Sequence, residues 1–277
     1  MKIDTHQHFW RYNDREYGWM GPNMISLRRD FLPADLAPLL KETGIDGTIA
    51  VQARQCIEET EFLLRLADED HFIKGVVGWV DLCSPQLPVQ LEQLCWHPKL
   101  RGVRHVVHDE PDDEFMLRDD FIRGIDRLKR YGLTYDLLLF PKHLPVACKL
   151  VARFQEQTFV LDHIAKPPIK DSTIEPWAAD LRKLAAFGNV SCKISGMVTE
   201  ASWDSWKAED FRPYMEIVLE AFGPRRIMLG SDWPVCTLAA GYDRVVEIAA
   251  DFIRQLSPDE QAAIWADNPE RIYGILV

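Results

Sequence analysis

Short runs of β-branched and other apolar residues recur along the chain, each followed by a longer amphipathic segment. The runs are Lys2 to Thr5, Gly47 to Val51, Ile73 to Val80, Leu100 to Val106, Leu133 to Leu139, Thr158 to Asp162, Val190 to Ile194 and Arg226 to Gly230. Their length and make-up predict buried strands. The segments between them carry helix signals. Pro33-Ala34-Asp35 starts a helix that Gly44 stops, Gly132 stops the helix of Arg118 to Tyr131, and Gly188 stands behind Pro176 to Phe187. Glu58 to Asp70, Gln86 to Cys95, Pro145 to Gln155 and Phe211 to Phe222 read as the remaining interstrand helices. Tyr242 to Gln255, Pro258 to Trp265 and a short Asn268 to Ile275 follow the last strand. One stretch breaks the rhythm: Phe9 to Phe31, an aromatic loop long enough to suggest a functional cover.

Eight strands, each followed by a helix, predict an α/β fold of the TIM (β/α)8-barrel type with extra C-terminal helices, since parallel strands need crossovers of about a dozen residues. An open doubly wound sheet is the alternative. It calls for a glycine-rich phosphate loop after the first strand, and Asp4 to Trp10 contains no glycine. No linker or repeat divides the chain, so residues 1–277 are expected to form one domain. The formal charge of −11 and the lack of a basic run argue against a nucleic-acid partner. No apolar run is long enough for a bilayer, and six cysteines lie scattered without a Cys-x-x-Cys pair. The expectation is a cytoplasmic protein with reduced thiols and a small-molecule partner; oligomeric state is left open.

In a barrel of this kind the loops after the strands build the active site. The polar residues at the predicted strand ends are His6 and His8, then Gln52, Trp79, Arg104 with His105, Asp136, His163, Lys193 and Asp232. Asp136, Arg104 and Lys193 each have an equally good reading as a buried hydrogen-bonding residue, a structural ion pair and a solvated side chain. His6, His8, His163 and Asp232 differ, because the eighth strand of a closed barrel adjoins the first. Four ligands or proton carriers then share one place.

The opening Asp4-Thr5-His6-Gln7-His8-Phe9-Trp10, together with Leu161-Asp162-His163-Ile164-Ala165-Lys166-Pro167, Lys193-Ile194-Ser195-Gly196 and Gly230-Ser231-Asp232-Trp233-Pro234, resembles the amidohydrolase superfamily. Within it the chain is similar to the sugar-lactonase branch, most of all, through Val51 to Arg54, Arg101 to His105 and Ser231 to Cys236, to members that act on L-fucono-1,5-lactone. The resemblance implies hydrolysis of an aldonolactone in L-fucose degradation. It makes Asp232 the general base, with His163, His6 and His8 polarising the carbonyl. Gln52, Arg54, Arg104 and His105 would hold sugar oxygens, and Trp79 or Trp233 would cover the ring. Binuclear members bridge two metals through Lys or Glu at the fourth strand and add a His at the fifth, where this chain has Arg104 and His105, then Tyr135 and Asp136. That points away from two metals. It leaves one zinc on His6 and His8 with His163 or Asp232, or catalysis without metal. Rival readings are a rhamnonolactone or other aldonolactone as substrate, a small-acid decarboxylase or hydratase on the same barrel, and a binder without catalysis.

Overall fold

A computed structural model describes residues 1–275. Eight parallel strands run in chain order: β1 (Ile3–Gln7), β2 (Gly47–Val51), β3 (Ile73–Gly78), β4 (Leu100–His105), β5 (Thr134–Leu137), β6 (Phe159–Leu161), β7 (Val190–Ile194) and β8 (Ile227–Leu229). Ten α-helices surround or follow them: α1 (Pro33–Thr43), α2 (Ile57–Glu69), α3 (Leu87–Leu94), α4 (Asp119–Leu128), α5 (Leu144–Arg153), α6 (Trp177–Ala185), α7 (Ala208–Phe222), α8 (Tyr242–Ile253), α9 (Pro258–Ala262) and α10 (Asn268–Tyr273). Each strand pairs with the next, which is the order of a TIM barrel rather than a doubly wound sheet. Burial on both faces explains the unbroken apolar runs, and Ile49, Val77, Val160 and Met228 pack together inside the barrel.

The last seam differs from the other seven. Between β8 and β1 there is no ladder, only an isolated parallel bridge of Gln7 with Trp233. It is fastened by His8 N donating to Trp233 O at 2.7 Å, Asp232 N to His6 O at 2.8 Å and Thr5 Oγ1 to Leu229 O at 2.6 Å. Several strands are shorter than their apolar runs. β3 stops at Gly78 because the Trp79 amide turns to Thr60 Oγ1 at 2.7 Å instead of the ladder. The segment predicted as one helix to Trp265 divides into α9 and a π-helical turn, Ala263–Asp267, before α10 begins at the Asn268-Pro269 pair. The loop from Phe9 to Phe31 is pinned at its base by two hydrogen bonds between Trp10 and Phe31, both 2.9 Å, and contains a 3₁₀ segment, Pro22–Leu27. Among the described residues, no helix is long and apolar enough to cross a membrane.

Candidate active site

On β1 the alternation of side chains puts Asp4, His6 and His8 on one face, and all three are buried. Asp4 does not meet the cavity. Its carboxylate accepts from Ser231 N at 2.9 Å, Ser231 Oγ at 2.6 Å and Tyr242 OH at 3.2 Å, and so anchors the turn that carries Asp232. Burial lifts the Asp4 carboxyl to about 6 against those bonds. Asp232 sits at φ 60°, a left-handed conformation uncommon outside glycine. Gly230 permits the close approach behind it, because a Cβ there would lie 2.5 Å from His6 Cβ.

Three imidazoles turn their Nδ1 atoms outward and their Nε2 atoms toward Asp232. His8 Nδ1 donates to Val51 O at 2.8 Å, His6 Nδ1 meets Asp162 Oδ1 at 3.2 Å, and His163 Nδ1 meets Ser195 Oγ at 2.9 Å. From Asp232 Oδ1 the Nε2 atoms of His8, His163 and His6 stand at 3.3, 3.8 and 3.9 Å. Burial opposes charge on Asp232, but the adjacent imidazoles, His163 foremost, outweigh it and hold the carboxyl below its usual range. Burial pushes His163 down to about 3 despite the carboxylate, and carries His6 well below its ordinary value. The site at neutral pH therefore sets an ionised Asp232 beside His6 and His163, both neutral.

His163 reaches this position on a left-handed turn. His163, Ile164, Ala165 and Lys166 have φ of 53, 49, 61 and 50°. Left-handed backbone costs about 1–2 kcal/mol per non-glycine residue, so the turn needs outside support. Trp177 Nε1 on α6 donates to Ile164 O at 2.7 Å, and Ser195 Oγ accepts from His163 N at 3.3 Å. Gly196 lets β7 press against the ring, since a Cβ there would come within 2.6 Å of His163 Nδ1.

Below the imidazoles lies a buried ionic network. Arg104 Nη1 is 3.1 Å from both His6 Nε2 and Asp162 Oδ2, while its Nη2 is held by Gln52 O and, at 3.1 Å, Gln52 Oε1. Lys193 Nζ pairs with Asp136 at 2.7 Å and Asp162 at 3.0 Å, and Tyr273 OH on α10 donates to Asp136 at 2.6 Å. Lys193, which admits a solvated reading in sequence, is fully buried. Asp162, at the end of the sixth apolar run, joins three cationic or imidazole partners, and these, Lys193 first among them, outweigh its burial and hold it well below its usual pKa.

A cavity of about 400 Å³ opens over Asp232, His8, His163 and Arg104. Lys166, Glu200 and His108 also line it, and sequence reasoning passes over all three. Trp19 and Met24 bring the Phe9–Phe31 loop to its mouth. The remaining predicted binding residues fall elsewhere. Gln52 lies beneath Arg104; Arg54 is held by Glu59 at 2.6 Å and by Glu16. Trp79 Nε1 donates to His105 Nδ1 at 3.4 Å, and His105 Nε2 contacts Glu110 at 2.6 Å. Trp233 is buried against Phe9 and Phe31. None of these five lines the cavity, because each is committed to a neighbour in the wall.

The donor set fits one divalent cation. Ligand atoms of His6, His8 and Asp232 lie within 4.8 Å of one another, and each imidazole has its Nδ1 oriented by a partner, as metal-binding histidines usually do. With His8 Nδ1 donating to a carbonyl, the 3.3 Å approach of its Nε2 to Asp232 closes through a proton or a shared cation. Arg104 Nη1, 3.1 Å from His6 Nε2, engages that lone pair, and an ion on His6 would have to displace it.

The amidohydrolase family profile matches residues 3–275. An L-fucono-1,5-lactonase of Burkholderia multivorans is 42% identical over 99% of this chain and 96% of its own. A second, from Burkholderia ambifaria, is 37% identical over 99% and 96%. A solved amidohydrolase from Burkholderia multivorans with bound zinc superposes with a TM-score of 0.96 at 43% identity, covering all of both chains. With the barrel, the paired histidines of β1 and the carboxylate after β8 in place, the chain belongs to the amidohydrolase family.

Proposed function

We propose that this chain hydrolyses the ring ester of a neutral sugar lactone to the sugar acid, with L-fucono-1,5-lactone as its substrate in the breakdown of L-fucose. One observation carries the chemistry: an ionised, buried Asp232 faces three imidazole Nε2 atoms within 3.9 Å at the head of the cavity. The nearly full-length likeness to two L-fucono-1,5-lactonases supports the substrate. Its six unpaired thiols suit the reducing cytoplasm.

Asp232 removes a proton from water as the oxygen attacks the ring carbonyl carbon. Ser195 Oγ accepts from His163 N and is free to give its own proton to His163 Nδ1, which leaves Nε2–H to donate to the developing oxyanion. Arg104, at the cavity floor, adds a fixed positive charge. When the tetrahedral adduct collapses, the ring C–O bond breaks and Asp232 returns the proton to the leaving oxygen. His6, His8 and Asp232 would hold a divalent cation, zinc in this reading, which would supply Lewis-acid polarisation of the carbonyl. The neighbouring ionic network keeps His6 oriented whether or not the ion is bound.

Acid release in a pH-stat over a panel of sugar lactones tests the reading, with L-fucono-1,5-lactone expected to turn over fastest. No release above the spontaneous rate with any aldonolactone overturns it. Repeating the assay after exhaustive chelation and zinc return separates the rate carried by side chains from the rate carried by the ion.

A further inference from the structure

In the cavity lining, Lys166 Nζ donates to Glu200 Oε1 at 2.7 Å, with side chains 16% and 22% exposed. Both supports are stiff. Lys166 ends the left-handed turn that presents His163, its amide donating to His163 O at 2.8 Å. Glu200 ends the 3₁₀ turn Val198–Glu200 after β7, where Thr199 Oγ1 donates to Gly196 O at 2.8 Å and Trp203 Nε1 to Thr199 O at 3.0 Å. The pair is thus fixed to the same two elements that aim His163.

The lining includes Trp19, Val106, Leu138, Phe140 and Trp203, with His108 and Asp109 close enough to Lys166 to feel its charge. An ammonium has three donors and a carboxylate several acceptor sites, so their contact leaves both kinds of partner for further bonds. Adjacent donor and acceptor suit neighbouring hydroxyls, each of which donates once and accepts. The charge balance is equally informative. Lys166 is matched by Glu200, with Asp109 also nearby, and Arg104 by Asp162, while Asp232 adds a negative charge. An anionic ring therefore finds no unmatched cationic side chain on this wall, and transfer of its charge against it is costly.

We propose that Lys166 and Glu200 are the specificity-determining pair of this site: they read ring hydroxyls and confine the cavity to neutral, polyhydroxylated lactones. The inference rests on the lactonase reading and names the substrate feature that this wall selects. Sites that hydrogen-bond a substrate hydroxyl discriminate strongly against analogues lacking it. Neutralising Glu200 also frees Lys166 to bind a carboxylate.

The test compares kcat/KM for L-fucono-1,5-lactone with that for δ-valerolactone, which has the ring ester and no hydroxyls, in the unaltered protein, K166M and E200Q. The ratio is expected to fall by about tenfold or more in both variants, with KM for the sugar lactone rising. Inhibition by 2-pyrone-4,6-dicarboxylate is measured alongside and is expected to become at least tenfold tighter in E200Q. Thermal melts establish that each variant is folded; K166Q and E200A, which also remove the charge, replace any that is not. An unchanged ratio in either folded position, or equal inhibition of E200Q and the unaltered protein, overturns the proposal. Absence of turnover of every sugar lactone by the unaltered protein refutes the lactonase reading instead, so the two failures are distinct.

Discussion

Asp232 combines a left-handed backbone, full burial and a depressed pKa, so its charge is present throughout the physiological range. Asp232→Asn keeps the side chain's volume and removes the base. A folded protein whose hydrolysis rate falls on the order of a hundredfold or more is expected, read by pH-stat and a thermal melt; unchanged turnover counts against the assignment. His108 affects stability by a different route. Burial, reinforced by Lys166 and Arg104, pushes its pKa down to about 3. In the unfolded chain it titrates near its ordinary value of about 6.5. Its contribution is complete above that value and is lost as pH falls from about 6.5 toward 3, because the unfolded state takes up the proton first, at about 1.4 kcal/mol per pH unit. His108→Phe retains the stack on Phe140 and removes the titration, so its melting temperature should decline less steeply between pH 6.5 and 4. A slope equal to that of the unaltered protein would sink the account. His6, His8, His163 and Asp232 are legible in sequence because each stands at the end of an apolar run. Lys166 and Glu200 are not, because loop geometry rather than periodicity brings them together.

At the scale of elements, the eight strands are readable because burial on both faces makes uniform apolar runs, as Gly47–Val51 and Val190–Ile194 show by matching their predicted bounds. Glycine stops at Gly44 and Gly132 mark helix ends for a local reason, the left-handed caps at φ 68 and 66°. Strand ends are harder to read. A side chain such as Thr60 captures the next amide and closes β3 early, and no periodicity in β3 encodes that partner. The left-handed turn after β6 is likewise hidden, since Ile164 has every local preference against it. Its support comes from Trp177 and Ser195, distant in sequence. The Arg54, Trp79, His105 and Trp233 side chains stand near strand ends and yet serve the wall, because Glu59, Glu110, Phe9 and Phe31 engage them or their neighbours first.

For the molecule as a whole, the barrel is closed by seven ladders and one bridge. The proposed catalytic groups straddle that bridge, with His6 and His8 on one side and Asp232 on the other. Parting the seam would draw Asp232 away from His6 and His8 while His163, on the Asp232 side, and the seven ladders stay in place. Loss of function and loss of structure therefore come in sequence rather than together. In rising urea, turnover should vanish at a concentration where far-ultraviolet circular dichroism is still native, and superimposable transitions would argue against this weak closure. A ligand that bridges His6 and Asp232 is therefore expected to raise the urea concentration at which turnover is lost.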